Sequence, residues 1–162
     1  MSEERDNVFR LTVVPIFVCD GQVLIAQRRR VPQKLHSWEK GFLGRDLTGP
    51  HTPVQVIEAI AHELGYGKVK QCTFVASHHE RRERTQAKPP YTEFICTVCY
   101  LVTLPAKAGR PLKPSSDIVK IVWLERQAVY DHLSYEARFW LPFELEEYLR
   151  FGVIGKPAPT ES

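Results

Sequence analysis

Three polar side chains near the middle of the chain are spaced to share a task. Glu58 and His62 stand one helical turn apart and Glu63 follows directly, so on a helix the three face a common space. Two carboxylates and an imidazole can hold a divalent cation. Mg²⁺ prefers hard oxygen ligands in octahedral array, whereas imidazole suits Zn²⁺, Mn²⁺ or Fe²⁺ better. The same residues also read as a solvated helix face on which His62 pairs with Glu58. Glu93 opens a predicted strand, Tyr91-Thr92-Glu93-Phe94, either as a general base or support for a metal ligand, or as an exposed strand-end carboxylate. Arg28, Arg29, Arg30 and Lys34 form a cationic stretch. On a strand Arg28 and Arg30 point one way and Arg29 the other, and guanidinium groups bind phosphate through paired hydrogen bonds. The alternative there is a solvated basic surface.

Two further patterns carry less chemistry. Cys96 and Cys99 spell C-x-x-C inside the apolar run Phe94–Val102. Residues three apart on a strand point to opposite faces, so these read as buried free thiols and not as a metal or redox pair. His78-His79-Glu80 opens a polar stretch with Arg81, Arg82, Arg84 and Lys88 that reads as a solvated connection able to meet a phosphate or RNA. Trp38 either stacks on a ring or packs its loop against the sheet, and Trp123 and Trp140 read as core.

The elements that must position these residues follow from patterning. Residues 8–18 alternate as a strand, Asp20-Gly21 makes a hairpin turn, and 22–27 forms the second strand. Thr52, Pro53 and Gln55 mark a helix start. Ile57, Ile60, Ala61 and Leu64 share its buried face, with Glu58, Ala59, His62 and Glu63 opposite, and Gly65 ends it. Strands are expected at 68–77, 93–103 and 118–124, and helices at 125–133 and from Pro142 through Arg150, closed by Gly152. The 162 residues suit one domain, with flexible tails at about 1–8 and 156–162. Hydrophobic residues are 43% of the chain and charged residues 25%, which excludes disordered and fibrous classes. A net charge of +3 is too slight to name a nucleic-acid or membrane partner. No apolar run is long enough to span a membrane and the polar start lacks a signal-peptide core, so the expected address is cytoplasmic.

Taken in order, these residues resemble the Nudix superfamily, in the branch near the isopentenyl-diphosphate-isomerase-like proteins. The likeness rests on Gln27-Arg28-Arg29, Lys34, Trp38, the Gly-rich turn at Gly44 and the helix closed by Glu63-Leu64-Gly65-Tyr66. It extends to the strand bearing Trp123 and covers about residues 9–151. It implies an α/β (α+β) layered fold, a mixed β-sheet flanked by helices. It also implies hydrolysis of a diphosphate linkage with Mg or Mn held by clustered carboxylates. Arg28, Arg30, Lys34, Trp38 and Arg45 would contact the ligand, with Glu63 and Glu93 as catalytic groups. The box departs from the family pattern. Where the family has Glu, Arg, Glu and Glu, this chain has Pro50, Glu58, Ala59 and His62, and only Glu63 remains. The isomerase needs a Cys a few residues after the Trp, and Glu39 to Leu43 contain none, which excludes the isomerase reaction. Two readings follow: a domain that binds a phosphorylated, nucleoside-diphosphate-type ligand or an RNA or protein partner without ordinary Mg-dependent hydrolysis, or a pyrophosphohydrolase with a metal site rebuilt from Glu58, His62 and Glu63. Dimerisation is common in the superfamily, so the resemblance also implies a homodimer.

Overall fold

The computed structural model describes residues 6–28, 40–66, 68–105, 118–134, 137–138 and 141–153. Among these, seven strands form one mixed sheet. β1 (Asn7–Cys19) turns at Asp20-Gly21 into β2 (Gln22–Arg28), and two short strands follow, β3 (Lys40–Gly41) and β4 (Arg45–Asp46). Both turn residues have positive φ, which glycine takes freely. Helix α1 spans Pro53–Glu63, and β5 (Gln71–Arg84) and β6 (Tyr91–Thr103) make a long hairpin. β7 (Ile118–Glu125) runs into α2 (Arg126–His132), and α3 (Phe143–Phe151) comes last.

The sheet order is β3-β2-β1-β6-β5, with β4 on β1 and β7 on β2. β1 and β6 are parallel, from Asn7 opposite Thr92 to Val18 opposite Thr103. The other strand pairs are antiparallel. Side chains alternate across this sheet and feed two cores. Val13, Phe17 and Val102 meet Ile57, Ile60 and Leu64 on the α1 side. Val14, Ile16 and Cys99 meet Val129, Leu145 and Leu149 on the α2–α3 side. The α/β layered arrangement expected from the sequence is therefore present.

The start of α1 follows its local sequence. Thr52 Oγ accepts a hydrogen bond from the Gln55 amide at 3.3 Å, and Gln55 Oε1 accepts from the Thr52 amide at 2.9 Å. Pro53 occupies the first turn. Two expectations need correction. The strand expected at 68–77 continues to Arg84, so the stretch expected as a connection is the outer arm of the β5–β6 hairpin. Asn7, expected in a tail, belongs to β1 and pairs with Thr92, one residue ahead of the expected strand start at Val8. The segment 156–162 and Trp140 lie outside the described residues. Trp123 is half-buried against the α1-side core, edge-on to Tyr66. No described helix is long and apolar enough to cross a membrane.

Candidate functional site

The capped start of α1 and its apolar stripe fix which side faces outward. Val56, Ile57, Ile60 and Ala61 are buried, while Glu58, Ala59, His62 and Glu63 are exposed. At its end Glu63 meets Arg45, carried by β4. The Arg45 Nη1 and Nη2 groups donate to Oε1 and Oε2 of Glu63 at 3.0 and 2.6 Å. This forked pair is the geometry in which guanidinium recognises carboxylate or phosphate. Arg45 stands opposite Val13 of β1, and so on the α1 side of the sheet.

On the same side lies an open cleft of about 640 Å³, lined among others by Phe9, Leu11, Leu47, His79, Phe94 and Cys96. Three side chains on neighbouring strands form a row at its end. Arg81, Phe94 and Phe9 are register partners across β5, β6 and β1. The rings of Phe9 and Phe94 stack at 5.3 Å with 16° between planes, and the Arg81 guanidinium sits 5.8 Å from the Phe94 centroid. Arg81 is also held by Glu83, Nη2 to Oε1 at 2.7 Å. Cys96, expected to be buried, is only partly so and lines the cleft, while Cys99 points into the α2–α3 core, where burial pushes its thiol up to about 12. The expected opposite orientation of this pair is thus seen directly.

Glu93 belongs to the other face. Alternation along β6 puts it with Cys99 and Leu101, away from α1. It is 6% exposed, which corrects the alternative of an exposed strand-end carboxylate. Arg84 Nε donates to its Oε2 at 2.7 Å and Arg10 Nη1 to its Oε1 at 3.5 Å. Burial works to raise the Glu93 pKa, but the hydrogen bonds and charges of Arg84 and Arg10 prevail and it is lowered. Arg10 also reaches Asp46 at 2.8 Å, and Asp46 accepts from Thr12 at 2.9 Å. The Asp46 hydrogen bond is the main cause that raises the Arg10 pKa.

The structure therefore joins Glu63 to Arg45 and separates both from Glu93. The backbone of Arg28 ends β2, whereas its side chain and the whole of Arg30, Lys34 and Trp38 lie outside the described residues. Sequence reading overlooked Arg10 and Asp46, and placed Arg81 and Arg84 in a solvated connection and not on a strand. Arg84 had little signal, since the residue opposite Glu93 in the β5–β6 hairpin is Arg82, and Arg84 reaches Glu93 only diagonally. Asp46 had none, because its place depends on β4 pairing with β1.

A metal such as Mg²⁺ or Mn²⁺ would need oxygen donors here. Pro50 and Ala59 offer no side-chain oxygen, and both oxygens of Glu63 already accept from Arg45. Among the described residues no group of three or more His, Cys, Asp or Glu could hold a metal ion. The donor set does not suit Mg²⁺.

Comparison with solved structures gives the architecture its name. The chain is similar to the solution structure of the E. coli ORF135 protein, with a TM-score of 0.58 and 20% identity over 95% of this chain and 96% of that one. It is similar to the MutT Nudix hydrolase from Burkholderia pseudomallei, with a TM-score of 0.56 and 20% identity over 85% of this chain and 96% of that one. It also resembles the E. coli dihydroneopterin triphosphate pyrophosphohydrolase, at a TM-score of 0.57 and 13% identity over 88% and 97% of the two chains. The chain has the Nudix fold. No family model matches the sequence, and no curated protein does. At these identities the likeness reaches the Nudix fold and stops there, so the chemistry must be argued from the side chains.

Proposed function

We propose that this chain is a divergent member of the Nudix superfamily that binds a phosphorylated ligand of nucleoside-diphosphate type and does not perform ordinary Mg-dependent hydrolysis. The observation that carries this reading is the Arg45–Glu63 pair. The one carboxylate left from the resemblance to the Nudix box is engaged by a guanidinium, and Pro50, Ala59 and His62 replace its former companions. Arg45 spends two of its five N–H donors on Glu63 and is partly exposed, so donors remain for a phosphate.

A diphosphate would approach on the α1 side, between Arg45 and the cleft. Arg45 would then bind and orient it, and Glu63 would hold the guanidinium in place. The experiment is a thermal-shift and turnover screen of nucleoside diphosphates on wild type and Glu63→Ala. A ligand at a hundred times its dissociation constant stabilises the fold by about 2.7 kcal/mol. Stabilisation without turnover supports the binding reading. Turnover in wild type that Glu63→Ala abolishes overturns it in favour of a hydrolase rebuilt from Glu58, His62 and Glu63.

A further inference from the structure

β4 sends its two side chains to opposite sides of the sheet. It pairs with β1 at two positions, Asp46 opposite Thr12 and Arg45 opposite Val13. Adjacent strand residues point to opposite faces, so Arg45 reaches Glu63 of α1 while Asp46 turns to the face away from α1. Strands usually run about three to ten residues, so a two-residue ladder is a weak tether for a guanidinium that must stand at a fixed place.

The far face supplies a second tether. Both oxygens of the Asp46 carboxylate are held from β1. Thr12 Oγ1 donates to Oδ1 at 2.9 Å, and Arg10 Nε donates to Oδ2 at 2.8 Å. Arg10 is shared in turn with Glu93, Nη1 to Oε1 at 3.5 Å, and Arg84 Nε holds the other Glu93 oxygen at 2.7 Å. A row of alternating charge, Arg84–Glu93–Arg10–Asp46, therefore crosses β5, β6, β1 and β4. It ends one residue from Arg45.

Arg10 and Asp46 are both partly exposed, so their attraction adds little to stability. Its geometry matters more than its energy. With both oxygens engaged Asp46 is restrained from swinging, and the planar peptide that joins it to Arg45 carries that restraint through the sheet.

We propose that Asp46 is a positioning residue for Arg45: held by Arg10 and Thr12 on the far face, it sets where the Arg45 guanidinium stands on the α1 side, and with it the affinity of the anion site there. This inference rests on the reading of Arg45 as a phosphate contact. Asp46 lies on the other face from the anion, so it acts only through β4. Glu93 has a matching task, since it braces Arg10 from the β6 side.

The test measures pyrophosphate binding by calorimetry and Mn²⁺ binding by electron paramagnetic resonance. The proteins are wild type, Asp46→Ala, Arg45→Gln and the double variant, and a thermal melt of each checks folding. Asp46→Asn, which keeps the side chain's size and one oxygen, carries the test if Asp46→Ala does not fold. The expected result is a loss of about fivefold in pyrophosphate affinity in Asp46→Ala, with no further loss when the same change is added to Arg45→Gln. Mn²⁺ affinity should rise in Asp46→Ala, because a displaced Arg45 releases Glu63, whereas a fold that had merely loosened would gain no ligand. Equal losses from Asp46→Ala in both backgrounds, no loss in either, or a Mn²⁺ affinity that rises in Arg45→Gln but not in Asp46→Ala overturns the positioning role and leaves the phosphate contact standing. Failure of wild type to bind pyrophosphate overturns the phosphate reading and this inference with it.

Discussion

Arg45 and Glu63, eighteen positions apart in the chain, face each other through two nearly parallel hydrogen bonds of 3.0 and 2.6 Å. Both side chains are about half exposed, so the pair contributes little to stability, about 1 kcal/mol or less. Its effect is on what Glu63 can bind. Arg45→Gln should leave the melting temperature within a few degrees of wild type while weakening diphosphate binding. It should also raise Mn²⁺ affinity about fivefold by releasing the carboxylate, read by electron paramagnetic resonance titration. Unchanged Mn²⁺ affinity would show that the guanidinium does not restrain Glu63.

Glu93 makes a different prediction, for pH. Its pKa is lowered in the folded state from an ordinary value of 4.5, so the unfolded state binds the proton more tightly. The stability that this gives is complete above the unfolded value and is lost as pH falls below about 4.5 toward the lower folded value. Urea unfolding measured from pH 7 to pH 3 should show this loss in wild type and a shallower one in Glu93→Gln. Removing Arg84 should cost about 1–3 kcal/mol at pH 7, because a buried carboxylate loses its closest donor. An identical acid slope in wild type and Glu93→Gln would assign the acid loss to other carboxylates.

The thiols should separate cleanly by reactivity. Cys19 and Cys99 are buried, and the Cys99 thiol is pushed up to about 12, while Cys96 lines the open cleft. Native-state labelling with a small disulfide reagent should modify Cys96 and leave Cys19 and Cys99 intact until denaturant is added. Mass spectrometry of tryptic peptides reads the order directly. Early modification of Cys99 would contradict the placement of β6.

The start of α1 sets the outward side on which Glu63 sits, so its cap is testable apart from binding. Thr52→Ala removes the acceptor for the Gln55 amide and should cost about 1 kcal/mol in chemical denaturation. Thr52→Asn should recover most of it. No difference between the two would mean that the cap does not hold the helix end.

How much of this was readable in advance differs by element. α1 was legible almost to the residue, because Thr52, Pro53, Gln55 and Gly65 are local signals and the apolar stripe has a helical period. The β1–β2 hairpin was legible for the same reason. The far arm of β5 was not. His78 to Arg84 carries charge on both faces, and its ion pairs run two residues along the strand, Arg81 to Glu83 and Arg82 to Glu80. Such a segment has no apolar period to detect, and only its pairing with β6 makes it a strand. The site was half legible. Residue types at Pro50, Ala59 and His62 announced an altered box, but Arg45 reaching Glu63 and Arg10 bridging Asp46 and Glu93 are products of strand pairing.

The parallel seam between β1 and β6 has a consequence for how the chain is made. Asn7 through Val18 find their partners at Thr92 through Thr103, more than eighty positions later. Long loops of this kind close slowly, and contacts that reward closure come only afterwards. On a ribosome the first hairpin emerges with its central strand one neighbour short, and it must wait for β6. Synthesis at about 5–20 residues per second makes that wait several seconds, during which Val13, Ile16 and Phe17 lack the β6 strand beside which they are buried. Protection of this first segment before β6 emerges is therefore a requirement of the seam, set by its sequence separation and not by its final stability.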